Sequence, residues 1–306
     1  MRLDDYRSSD NVEDERGEDF SGGNNGGGGG FNLISGLLGF VVGRFGIGGV
    51  IVLVIICFIF KINPLGFMGG GSSTQPAMAP HQVHSVRSAQ QACQLNAASL
   101  FSCRVLASTE DTWGKIFADA GKKYKPTTLV FYSQRGRSGC GAAESAMGPF
   151  YCPADQRVYL DTDFYNELVN RFHASGDFAQ AYVIAHEVGH HVQDLMGLSD
   201  QIREQQANVG KAAANALQVR MELQADCYAG VWAAHNRDRI EEGDVEEGMR
   251  AAQAIGDDTL EKAAGMRPVP ESFTHGTSAE RMRWLKRGID SGDPAVCDTF
   301  HHDIDS

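Results

Sequence analysis

In AYVIAHEVGHHVQD, residues 181–194, His186 and His190 stand four apart and Glu187 directly follows the first of them. Four residues bring side chains back to one face of an α-helix, so both imidazoles can point at one cation while Glu187 reaches a water on it. That spacing suits metal-assisted hydrolysis with a glutamate as general base. Tyr182, Ala185, Gly189 and Val192 form an apolar stripe beside the histidine face, which predicts a helix packed on one side and open to a cleft on the other. His191 lies five residues after His186, off that face, and reads as a hydrogen-bonded or exposed histidine.

A catalytic zinc commonly takes three protein ligands and leaves a fourth position for water. In VRMELQADCYAG, Glu222 and Asp226 again stand four apart, with small Ala225 and Ala229 beside them that allow another helix to approach. The spacing gives Glu222 as third ligand. It gives Asp226 as the partner of a ligand histidine's second N–H, fixing its tautomer.

The elements that must carry these residues are mostly helical. Phe178 to Met196 reads as a helix stopped by Gly197, and Asp200 to about Asn236 as one long helix or two in tandem. Thr162 is a cap for DFYNELVNRF. TTLVFYSQ (127–134) and RVYLD (157–161) have the β-branched and aromatic character of short strands.

The segments CGAAESAMGPFYCPADQRVYLDTDFY, GDFAQAYVIAHEVGHHVQDLMG and RMELQADCYAGVWA, with SFTHGTSAERMRWLKRG and the N-terminal RSSDNVEDERG, closely resemble the neutral zinc metallopeptidase family of membrane-anchored bacterial proteins. The H-E-x-x-H…E-x-x-x-D pattern is similar to the gluzincin branch of zinc peptidases. The resemblance implies an α+β, mainly helical, zincin-like domain with a small sheet, and Zn²⁺ held by His186, His190 and Glu222. It implies hydrolysis of peptide or protein substrates by a zinc-activated water, with Glu187 as base. Substrate is expected along an edge strand, supplied by GPFYC or TTLVFYS. His275 in FTHGTSAER is the candidate oxyanion stabiliser, since zincins use a histidine or tyrosine from a later segment, and Arg281 a candidate for orienting the site through a carboxylate. A zinc hydrolase of a non-peptide, cell-wall amide would keep the same ligands. A catalytically silent, membrane-tethered binding module is disfavoured by the intact Glu187.

Around this domain the 306-residue chain has a formal charge of −12, which gives nothing to attract nucleic acid. Residues 1–42 read as a disordered acidic and glycine-rich tail, residues 43–62 as one transmembrane helix in the lipid bilayer, and 63–86 as a flexible linker. Residues 87–306 form the catalytic domain. Ala77-Met78-Ala79 resembles a signal cleavage site, but it lies well past the apolar run, and an uncleaved anchor is expected. Cys57 sits in the expected span. The other six cysteines, Cys93, Cys103, Cys140, Cys152, Cys227 and Cys297, suit an oxidising compartment. Cys93/Cys103 and Cys140/Cys152 are near enough to close short loops. These features predict a single-pass protein of the bacterial inner membrane, with its tail cytoplasmic and its catalytic domain periplasmic.

Overall fold

The runs TLVF and RVYL pair in parallel as β2 (Thr128–Phe131) and β6 (Arg157–Leu160), with Leu129 opposite Val158 and Phe131 opposite Leu160. Nearly every side chain on them is buried, as befits central strands covered on both faces. The structure, a computed structural model, describes residues 1–17, 87–145, 148–302 and 304. The segment expected to span the bilayer, 43–62, the linker 63–86 and the rest of the tail lie outside the described residues. Among the described residues no helix is long and apolar enough to cross a membrane.

The sheet runs β1-β2-β6-β5, where β5 (Phe150–Cys152) is antiparallel to β6 and β1 (Val12–Asp14) is parallel to β2. A separate hairpin joins β3 (Arg135–Ser138) to β4 (Gly141–Glu144).

β1 corrects the reading of residues 1–42 as disordered throughout, because the first 17 residues are part of the domain. Met1, Leu3 and Val12 are buried in its main core. Part of the acidic charge that argued for disorder is matched in the fold, where Asp14 pairs with Arg16 and Arg87 and Glu13 with Arg157, while Arg7 of the tail pairs with Glu110 and Asp111. Composition alone hid these partners, several of them about a hundred residues away in sequence. Residues 1–17 and the domain from residue 87 onward thus form one compact unit.

Helices form the rest. α1 (Ala89–Cys93) starts in a capping box at Ser88, and α2 (Ala97–Asp119) is capped by the Asn96 side chain. Asp163, and not Thr162, occupies the N-cap of α3 (Phe164–Asn170). α4 (Asp177–Leu195) carries the H-E-x-x-H run and ends at Gly197, whose φ of 77° is the left-handed conformation that favours glycine. The stretch expected as one or two helices is two, α5 (Leu198–Ala207) and α6 (Lys211–His235), interrupted before Gly210. α7 (Asp244–Ala254), α8 (Asp257–Ala263) and α9 (Ser278–Ser291) complete the domain.

Small residues set two helix crossings. A Cβ on Gly189 of α4 would lie 3.0 Å from the Ala225 carbonyl of α6. Gly230 of α6 and Gly288 of α9 face each other, and a Cβ on either would run into the other helix's backbone. Three disulfides hold the unit: Cys93–Cys103, Cys140–Cys152 and Cys227–Cys297, the first two being the short loops expected from spacing.

Candidate metal centre

The close α4–α6 crossing brings the two i,i+4 pairs face to face. Nε2 of His186 lies 3.2 Å, and Nε2 of His190 3.4 Å, from Oε2 of Glu222. The donor atoms of all three residues lie within 4.8 Å of one another. Zinc bonds of about 2.0–2.2 Å at tetrahedral angles separate donor atoms by roughly 3.3–3.6 Å, so this nitrogen and oxygen donor set fits the ion that the resemblance implies.

Both histidines are turned the right way by acceptors behind them. Nδ1 of His186 faces Oδ1 of Asp226 at 2.8 Å, and Nδ1 of His190 faces Oε1 of Gln193 at 2.9 Å. An ionised carboxylate only accepts, so Nδ1 of His186 carries a proton, and Nε2, facing Glu222, is the nitrogen left to bind a metal once its own proton is lost.

Asp226 is itself anchored. Arg281 of α9 donates to Asp226 through Nε at 2.8 Å and Nη2 at 2.9 Å, and Tyr182 donates to Oδ1 at 2.6 Å while accepting from Arg281 at 3.1 Å. Burial alone would raise the Asp226 pKa. The Arg281 and His186 charges overcome it and hold the carboxyl down at about 2. Arg281, expected only as a candidate, is almost wholly buried. Tyr182, read as part of the apolar stripe, also contributes a hydroxyl to this network; its position four residues before His186 was the available signal.

Glu187 is buried beside the ligands. Burial pushes its pKa up, and the neighbouring histidine charges and the Tyr151 backbone N–H oppose that shift. Burial likewise opposes the charged form of His186, but Asp226 and Glu222 outweigh it and push that imidazole up to about 10. His190 moves in the same direction, with Glu222 overcoming burial. Glu222 is held well below the usual carboxylate range, since both histidines outweigh its desolvation. Its Oε1 also accepts from Gln218 at 2.8 Å.

His275 is half exposed in a turn before α9. Its Nδ1 faces Asp257 at 3.2 Å, and one Asp257 oxygen accepts the backbone N–H groups of Thr274, His275 and Gly276. Burial disfavours the imidazolium, yet Asp257 and the Glu222 charge raise its pKa. Asp257 carried no motif that would have singled it out. His191 is hydrogen-bonded as expected off the ligand face, with Nε2 at 2.7 Å from the Lys125 carbonyl and Nδ1 at 3.0 Å from Tyr151 Oη.

A second group, Asp177, Asp244 and Glu247, also gathers carboxylate oxygens. The α-ammonium of Met1 lies 2.6 Å from Asp177 and 3.0 Å from Asp244, matching part of that charge.

Residues 1–300 match the family model described as "Putative neutral zinc metallopeptidase". The chain belongs to this family. As a family member it is 47% identical over 306 residues to the "Uncharacterized protein YpfJ" of Escherichia coli strain K12, covering 99% of this chain and 100% of that one. It is 42% identical over 214 residues to the "Uncharacterized protein Rv2575" of Mycobacterium tuberculosis strain H37Rv, covering 65% of this chain and 70% of the relative. No solved structure matches it. The neutral zinc metallopeptidase match begins at residue 1, so it includes the docked N-terminal segment as well as the helices carrying His186, His190 and Glu222.

Proposed function

We propose that this protein is a zinc-dependent peptidase in which His186, His190 and Glu222 hold the ion and Glu187 is the general base. The observation that carries the reading is the His186–His190–Glu222 donor triangle, with a further carboxylate, Glu187, buried alongside it. Zinc bound there supplies Lewis acidity to a water and to the scissile carbonyl.

The remaining work falls to the chain's own groups. Desolvation lifts the Glu187 pKa towards the working range of a base that must both take and return a proton. It accepts the proton of the attacking water and delivers it to the departing amine. His275, whose pKa Asp257 raises against the pull of burial, is the proposed donor to the developing oxyanion. β5 is an edge strand, whereas TLVF is central, so Phe150–Cys152 is the segment with main-chain groups available to an extended peptide. The two ligand helices and this edge support a zincin-like arrangement and favour a peptide over a non-peptide amide. The three disulfides support an extracytoplasmic location, with residues 1–17 on the same face of the membrane as the domain.

Glu187→Gln tests the assignment with casein or a peptide library, using amidated sugars as the comparison substrate. Zinc content and melting temperature should stay close to the parent's, and peptide hydrolysis should fall by ~10²–10⁴-fold. Full zinc with more than about a tenth of parental activity would contradict that range and the role of Glu187.

A further inference from the structure

His190 has no carboxylate behind it. It has Gln193, one turn further along α4 and wholly buried, and the amide there is oriented by a chain of contacts reaching the far side of α6. Gln224 lies 3.0 Å through Nε2 from the Cys297 carbonyl, which can only accept. The Gln224 oxygen therefore faces Gln193 and accepts from its Nε2 at 3.0 Å, while the same Nε2 donates to the Met221 carbonyl at 2.7 Å. With both Gln193 amide protons committed, its Oε1 is what remains for Nδ1 of His190, 2.9 Å away. An amide oxygen only accepts, so Nδ1 of His190 carries a proton, and Nε2, 3.4 Å from Glu222, is the nitrogen left to bind a metal once its own proton is lost.

We infer that Gln193, oriented by Gln224, is the positioning residue that fixes the tautomer and ring orientation of His190 and links it to the helix carrying Glu222. The inference rests on the metal-centre reading above. The Met221 carbonyl belongs to the residue preceding Glu222, so one side chain sets the spacing between ligands on two helices. The Cys227–Cys297 disulfide fastens the carbonyl at the outer end of the chain to α6 itself. The two histidines are thus oriented differently: His186 by a charged carboxylate that Arg281 balances, His190 by a neutral amide.

The test uses the full-length protein in detergent and the zinc ion itself, with affinity read by competition against a chromophoric chelator and stability by melting of the metal-free protein. Gln193→Met removes the acceptor and should weaken zinc binding by roughly 10–100-fold. Gln193→Glu keeps an acceptor for His190 but loses both donors, so it should regain affinity relative to Gln193→Met without regaining stability. A purely packing role would move affinity and stability together. Gln224→Met frees the Gln193 amide to rotate and should weaken zinc several-fold, which keeps the inference testable if the Gln193 variants do not fold. Folded variants binding zinc within about twofold of a tightly binding parent would overturn the inference alone. A parent that binds no zinc would overturn the metal-centre reading itself.

Discussion

Arg281 grips Asp226 through two nitrogens, 2.8 and 2.9 Å from its two oxygens, in a pair closed off from solvent. The pair holds the carboxylate that faces Nδ1 of His186, so α9 supports a proposed ligand through Asp226. Removing one partner of a buried pair leaves an uncompensated charge and costs about 3–5 kcal/mol. Arg281→Met should lose that much in denaturant unfolding of the metal-free protein. The double variant Arg281→Met/Asp226→Asn should recover part of the loss, and equal losses in the two would show that the pair is not coupled.

The ligands themselves separate by metal titration. Glu222→Ala should lose most of the zinc affinity, whereas Asp226→Ala, which removes only the group behind His186, should weaken it by about 10–100-fold. If Glu222→Ala bound zinc like the parent, the third ligand would lie elsewhere, and His275 would be the next residue to replace.

Zinc uptake should depend on pH beyond the ordinary histidine range. A protonated imidazole cannot ligate, and the carboxylates around His186 push its pKa up to about 10, with His190 raised as well. Protons therefore compete with the metal until pH passes through those raised values, and affinity gains as pH rises. Chelator competition from about pH 6 to about pH 9 should show affinity still climbing above neutrality, with protons released on binding. A plateau reached near the ordinary pKa of about 6.5 would mean the carboxylates exert no such pull.

The docked N-terminal segment has two observable consequences. Leu3 is almost wholly buried, so Leu3→Ala should cost about 2–5 kcal/mol in unfolding of the intact protein, whereas a tail free of the domain would give no change. In a Cys57→Ser background, Asp4→Cys and Lys115→Cys place thiols at two exposed positions, one in the tail and one on α2. A membrane-impermeant maleimide applied to intact spheroplasts should label both. Labelling of Lys115→Cys alone would place the tail across the membrane and overturn the docking.

What the sequence determined by itself was local. His186 with His190, and Glu222 with Asp226, share helix faces because the α-helix repeats every ~3.6 residues, and that periodicity needs no knowledge of the rest of the chain. Gly197 stopping α4, and TLVF and RVYL as strands, were legible for the same reason. Tertiary structure alone decided which faces meet: Gly189 against Ala225 aligns the two ligand pairs, and Gly230 against Gly288 brings Arg281 to Asp226, 55 residues away. It also decided where buried polar groups find partners. The Gln193–Gln224 relay and the matching of Asp14 and Glu13 by distant arginines both follow from one requirement. A charge or amide taken out of water must be satisfied by whatever the folded chain brings within reach, and sequence spacing does not encode that neighbour when it comes from another element.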